Sequence, residues 1–374
     1  TNQKDLKKIQ DEVHAVNSLD YNCEFVTKTG LPFDILGGIC FKNQAQFHPY
    51  KYLCGLCNSI LDKAKIFAHT TICDVKNSGN SYISYSENNY KIKSKFIIMA
   101  SHYPFINIPG FYFSKMYQST SYLIGIETNK SLFNGMYLSS SDPIFSFRTA
   151  KFKNKNFILI GGAEHKTGDS HDFSTTYGIL ENIAKKYYPD CKILFHWNTR
   201  DCITLDKIPY IGLFSSNLPN FYVGTGFNKW GMTSSNVASN IIVDMINGKK
   251  NPYSFVFDSL RVNPIKNSNE FKNIIVQSSK SLVFDKIKKS NLQLDNISPN
   301  SGGIIEVNGQ KVGIYKSQDN KFFAVNPICT HLGCLLSWND IDKTWDCPCH
   351  GSRFDYKGKS LYDPSFKDLE VFEI

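Results

Sequence analysis

The hydrophobic and polar positions of this chain fall into three rhythms. Residues 1 to about 262 mix short apolar runs, Gly/Pro turns and a few helical stretches. Residues 263–290, rich in Lys, Asn and Ser, read as a linker. From 291 to 374 the pattern is all-β. There "IIEVNGQKVGIYK" predicts a hairpin, because Asn308-Gly309 can take the positive φ angles of a type I′ turn between alternating strands. A further strand, "KFFAVN" at 321–326, leads into a cluster of Cys and His.

In the first region a polar helix opens the chain, and Pro49 starts a second one after His48. Tyr52, Leu53, Leu56, Ile60 and Leu61 share one face of that second helix, which predicts a buried side. "AKIFAHTTI" at 64–72 reads as a strand, and the turns around Gly79 and Asn88 suggest hairpins. "FIIMA" at 96–100 is the continuous apolar run of a strand covered on both faces, which implies an α/β layer. Residues 111–200 read as mostly antiparallel strands with one helix at 176–188. "NFYVGTGFNKWGMTSSNVASNIIVDMINGK" reads as strand, Gly-rich turn and helix. Ser234 or Ser235 is the expected cap, Val237, Ala238, Ile241, Ile242 and Met245 the apolar face, and Gly248 the stop.

Composition narrows the class. The aromatic share of 14% predicts Phe/Tyr-heavy cores. A net charge of +9 would favour acidic partners, but the lysines are scattered and form no basic helix with interleaved aromatics, so no nucleic-acid partner is expected. The longest apolar runs fall well short of the ~20 residues a bilayer requires, so no membrane span is expected. The N-terminus is too polar for a signal peptide, which makes the cytoplasm the expected compartment. The chain does not begin with Met, and a processed or incomplete product is the expectation. Cys54-x-x-Cys57 falls inside the helix after Pro49, outside a strand–loop–helix redox context, and is read as two helix cysteines.

The chemistry concentrates near the C-terminal end. "CTHLGC" (329–334) and "CPCHGS" (347–352) hold four of the chain's 11 cysteines and two of its 9 histidines. Two thiolates and two imidazoles, in Cys329-x-His331 and Cys347-x-x-His350, suit either zinc or a [2Fe–2S] cluster of mixed ligation. Three details favour the cluster. Each box has an extra cysteine, Cys334 or Cys349; each has a loop glycine, Gly333 or Gly351; and both sit on loops after strands.

The paired boxes resemble those of Rieske iron–sulfur proteins. The resemblance implies Cys329 and Cys347 on one iron, His331 and His350 on the other, and a Cys334–Cys349 disulfide between the loops. It places Leu332 and Ser352 against the cluster, with Ser352 donating to a bridging sulfide. Phe354 stands where high-potential members carry tyrosine, so a potential below the top of the range of roughly −150 to +300 mV is expected. The third, shielding loop would be "YDPSFKDL" at 362–369.

Upstream, "KSKFIIMASHYP", "LIGGAEHKTG", "WNTRDCITLDKIPYIG" and "YVGTGFNKWGMT" occur in an order that resembles D-amino-acid-oxidase/glycine-oxidase-like flavoproteins, and more narrowly bacterial FAD-dependent oxidoreductases with a C-terminal Rieske domain. The fold implied is α+β and α/β. It comprises a partial FAD-binding domain, an antiparallel substrate-domain sheet at 111–200, and a small all-β Rieske domain. Gly224, Thr225, Gly226, Gly231 and Met232 would meet the flavin, and Asp206, Pro209 and Gly212 match the preceding "D-x-x-P-x-x-G". Arg148, His165, Lys166, His196 and Trp230 are the candidates facing substrate. The family's GxGxxG fingerprint does not occur in these residues, so the chain is expected to start inside the family's sequence. The activity implied is oxidation of a small amine or amino acid by FAD. Electrons would pass through the cluster to an acceptor protein or quinone-like acceptor. The alternative is a Rieske electron-transfer module on a non-catalytic flavoprotein scaffold.

Overall fold

The computed structural model describes residues 3–141, 143–168, 176–261 and 292–373. They divide into two units. The first takes residues 1–65, 121–164 and 174–199, and the second takes 66–120, 165–173 and 200–374. The linker read at 263–290 lies outside the described residues.

The first unit begins with helix α1 (Gln3–Ser18) and the short antiparallel pair Glu24–Val26 and Gly38–Cys40. Helix α2 (Pro49–Ile60) follows, with the His48 imidazole accepting from the Lys51 N–H at 3.5 Å. Its apolar stripe departs from expectation: no α2 residue is buried, and Tyr52, Leu53 and Leu56 are exposed. Cys54 and Cys57 are free and exposed on it. The main element is a five-stranded sheet in the order 192–204, 116–128, 155–166, 145–152, 137–138. Tyr122, Ile124 and Ile126 alternate along one strand and, with Phe147, Ile158 and Ile160, cover Leu180 and Ala184 of helix α3 (Thr176–Tyr187). A period of two meeting a period of about 3.6 makes this a sheet-on-helix layer.

The second unit holds a three-stranded sheet in which Phe221–Thr225 runs parallel to Ile97–Met99 and antiparallel to Tyr210–Leu213. Helix α4 (Gly231–Ile246) packs Ala238, Ile241 and Ile242 against Ile211 and Tyr222 of that sheet. The meander Ile72–Asn77, Tyr82–Ser86, Lys91–Ser94 lies in the same unit. Two expectations shift. The strand read at 64–72 begins only at Ile72. Helix α4 starts at Gly231, with Trp230 as N-cap, because the Thr233 and Ser235 hydroxyls donate backwards to the Trp230 and Met232 carbonyls. A hydroxyl used that way caps no N–H.

The C-terminal part of the second unit is two four-stranded sheets. One orders Ser301–Val307, Gln310–Lys316, Phe322–Val325 and Val371–Phe372; the other orders Ser337–Asn339, Thr344–Asp346, Arg353–Asp355 and Ser360–Tyr362. The hairpin register pairs Val307 with Gln310, and Asn308 (φ 50°) and Gly309 (φ 78°) form the expected turn. Trp345, Phe354 and Leu336 pack around the four cysteines of the two boxes.

Candidate metal centre and the residues around it

The two boxes fold as two copies of one turn. The Cys329 N–H donates to the Cys334 carbonyl (2.8 Å), and the Gly333 N–H returns to the Cys329 carbonyl (3.0 Å). In the second box the Cys347 N–H donates to the Ser352 carbonyl (2.8 Å), and the Gly351 N–H to the Cys347 carbonyl (3.0 Å). Gly333 and Gly351 both hold positive φ, 79° and 83°. Gly351 has a second constraint, since a Cβ there would lie 2.7 Å from the Gln118 side chain. Cys334 and Cys349 are joined by a disulfide, with Cα atoms 6.6 Å apart. Of the close sulfur trio Cys334, Cys347 and Cys349, only Cys347 therefore keeps a free donor.

Cys329 and Cys347 are free and buried, 2% and 0% exposed. Their thiols share a hydrogen bond that draws Cys329 down to about 7 and pushes Cys347 up. The His331 and Leu332 N–H groups and the Ser352 hydroxyl also favour a Cys329 thiolate. The His331 and His350 rings stand edge to face with centroids 5.0 Å apart. Burial pulls their imidazoles down to about 4 and about 3, so both are neutral at neutral pH. Both Nδ1 atoms are buried without a hydrogen-bond partner. A buried polar atom without a partner costs free energy. Two such nitrogens beside two buried sulfurs make a donor set that fits a metal centre with mixed thiolate and imidazole ligation.

The 362–369 loop is tied to both boxes. The Ser352 hydroxyl, fully buried, accepts from the Ser365 N–H at 3.1 Å, and the Thr330 hydroxyl donates to the Lys367 carbonyl at 2.7 Å.

Earlier segments of the second unit surround the boxes. Asn107 Oδ1 lies 2.7 Å from His331 Nε2. The Phe113 ring stands at right angles to His350 at 5.8 Å, and Phe105 meets Phe366 at 6.2 Å. Gln118 Nε2 donates to the Asp363 carbonyl (3.1 Å), and the Ser337 hydroxyl to the Gly168 carbonyl (3.0 Å). The Arg200 guanidinium lies 3.4 Å over the Tyr362 ring. Arg200 is only 8% exposed, and burial with the like charge of Arg353 pulls it down to about 10. These four polar and cationic contacts were not legible upstream, because each joins residues more than 150 positions apart.

The Gly-rich turn is built as a tight bend. Gly224 and Thr225 are buried in their strand, and the Thr225 hydroxyl donates to the His102 carbonyl at 2.5 Å. Gly226 has φ 69°, and a Cβ there would sit 2.3 Å from Thr204. Asn228, absent from the sequence-based set, holds the bend by donating to the Gly226 carbonyl (2.8 Å) and accepting from the Thr204 N–H (2.9 Å). Gly231 opens α4 with nothing within 4 Å of its Cβ position, and Met232 is half-buried beside it. The α4 N-terminus carries the positive end of the helix dipole, which suits an electron-rich ligand. Burial pulls Lys229 down to about 8. Asp206 and Pro209 form a clamp with Arg261, whose Nε donates to Asp206 (2.7 Å) and Nη1 to the Pro209 carbonyl (2.9 Å). Gly212 lies beside that clamp, where a Cβ would come 2.9 Å from the Ser259 hydroxyl.

The substrate candidates scatter. Arg148 is exposed on its strand, and His196 bonds to Glu181 at 2.9 Å in the same unit. In the second unit His165 is half-buried, Lys166 stands 5.8 Å over Tyr117, and Trp230 is 65% exposed.

Comparison with known proteins decides the family. The DAO family, "FAD dependent oxidoreductase", matches residues 1–245, and the Rieske [2Fe-2S] domain matches residues 290–373. The chain belongs to the DAO family and carries a Rieske domain. This DAO–Rieske protein is 35% identical over 374 residues to the putative Rieske 2Fe-2S iron-sulfur protein YhfW of Bacillus subtilis, covering 100% of this chain and 73% of that one. Its Rieske region is 45% identical over 49 residues to the cytochrome b6-f complex iron-sulfur subunit 1 of Nostoc, 13% of this chain and 27% of that subunit. In fold it is similar to glycine oxidase from Geobacillus kaustophilus, with TM-score 0.60, 14% identity, and 70% and 73% of the two chains covered. L-proline dehydrogenase from P. horikoshii is similar at TM-score 0.57 and 15% identity, with 70% and 74% covered. The DAO–Rieske protein is a FAD-dependent oxidoreductase, and its two domains bring FAD and a [2Fe–2S] cluster as cofactors. Among the described residues no helix is long and apolar enough to cross a membrane.

Proposed function

We propose that the protein oxidises a small amine or amino acid and delivers the electrons through its Rieske centre to an acceptor protein or a quinone-like acceptor. Cys329 and Cys347 hold one iron of that centre, and His331 and His350 hold the other through Nδ1. The observation that carries this reading is the pair of partnerless, buried Nδ1 atoms beside two free, buried thiols. When bound, FAD supplies the two-electron oxidation of a C–N bond to C=N, with two protons released, and the cluster supplies the one-electron steps to the acceptor. The substrate class rests on the fold shared with glycine oxidase and L-proline dehydrogenase. Gly224, Thr225, Gly226, Gly231 and Met232 shape the flavin edge, and the α4 N-terminus favours negative charge there. Leu332 and Ser352 direct an N–H and a hydroxyl at the cysteine sulfur, which raises the potential of the centre.

Absorbance and EPR spectra of the purified protein test the reading. Flavin bands with a rhombic [2Fe–2S] signal are expected, and His331→Cys or Cys347→Ser is expected to abolish that signal. Its persistence in both variants would overturn the ligand set. A second reading is an electron-transfer module on a non-catalytic scaffold. A [2Fe–2S] spectrum without flavin bands, and no amine oxidation, is the outcome it requires.

A further inference from the structure

We infer that Asn107 is a positioning residue for His331: it fixes which imidazole nitrogen faces the metal centre and thereby lowers the potential of that centre. The inference rests on the ligand set proposed above. Asn107 Oδ1 and His331 Nε2 are 2.7 Å apart. A carbonyl oxygen can only accept, so Nε2 carries the hydrogen and Nδ1 carries the lone pair. That Nδ1 is the buried atom without a partner. The bond therefore presets the tautomer a metal ligand needs. A ligating imidazole that donates to a carbonyl also becomes more basic and a stronger electron donor, which stabilises the oxidised iron.

The bond itself is part-buried, and aromatic rings pack around the second imidazole. His350, 4% exposed, is packed edge-on by His331 and by Phe113. Phe105 closes the adjoining side against Phe366 of the 362–369 loop. Asn107, Phe113 and Phe105 all come from one short stretch of the flavoprotein region. The His350 ring is therefore covered by the chain itself.

The test is a redox titration of the full-length chain followed by EPR, on wild type, Asn107→Leu and Asn107→Asp. Loss of the acceptor in Asn107→Leu is expected to raise the midpoint potential. The charged acceptor in Asn107→Asp is expected to lower it below wild type. Loosening of the packing alone would move both variants in the same direction, so shifts of the same sign, or none, overturn the inference. Should Asn107→Leu fail to assemble the centre, Asn107→Asp against wild type decides: the absence of a downward shift overturns it. A wild-type chain with no [2Fe–2S] signal would instead refute the ligand set on which the inference stands.

Discussion

Arg353 grips Asp346 with two hydrogen bonds, Nε to Oδ1 and Nη2 to Oδ2, each 2.7 Å long. The two are register partners on adjacent strands, and both are almost fully buried, at 3% and 1% side-chain exposure. They stand immediately outside Cys347 and Ser352, so the pair closes the base of the second box. Arg353 Nη1 also donates to Asp342 at 3.0 Å. Arg353→Leu leaves a buried carboxylate uncompensated and is expected to cost about 3–5 kcal/mol. Urea unfolding at neutral pH measures it. Arg353→Lys, which keeps the charge but loses the fork, is expected to cost less.

Gly168 touches the second box from outside. Its φ is 81°, and a Cβ there would come within 2.4 Å of Pro348 backbone atoms. Gly168→Ala is therefore strained twice, by conformation and by contact with backbone that cannot turn aside. The expected outcome is release of the Ser337 hydroxyl from the Gly168 carbonyl and faster hydrogen exchange across 347–352. Unchanged protection of those amides would contradict the contact.

Asp363 gives a pH dependence. Burial pushes its carboxyl up to about 6, opposed in part by Arg200. The folded state thus holds a proton between about pH 4 and 6 that the unfolded chain has released. Its contribution to stability is fully present below about pH 4 and is lost as pH rises through about 6. Asp363→Asn is expected to stabilise the protein at pH 7 by about 1–2 kcal/mol after discounting partial exposure, and to change little near pH 4. Paired urea titrations at the two pH values check the sign.

The Cys334–Cys349 bond closes a loop of sequence separation 15. Replacing both cysteines by alanine is expected to cost about 3 kcal/mol on the chain-entropy account. Thermal unfolding of the double variant should shift downward by several degrees, with the two free thiols Cys329 and Cys347 still present.

How much was legible beforehand follows from the range of each signal. The boxes, the Asn308-Gly309 turn and the α4 face are written in neighbouring residues, and periodicity or spacing reveals them. Asn107, Arg200 and Arg261 act across the chain, and no local pattern marks an asparagine as the partner of a histidine more than 200 positions away. The α2 stripe shows the converse failure. Its spacing is that of a core helix, yet none of those residues is buried, because a periodic face states only that burial is possible, not that a partner lies over it. At the start of α4, the serines looked like caps by residue type. The Ser235 hydroxyl instead bonds back to the Met232 carbonyl, a choice set by geometry that composition does not record.

The residues that receive the two boxes, Asn107, Phe113, Gln118, Gly168 and Arg200, all precede them along the chain. During synthesis that receiving surface leaves the ribosome before the first cysteine of either box. The two boxes are thus made after the surface that receives them. A fault in that earlier surface therefore reaches the metal centre through the contacts to Asn107, Phe113, Gln118, Gly168 and Arg200.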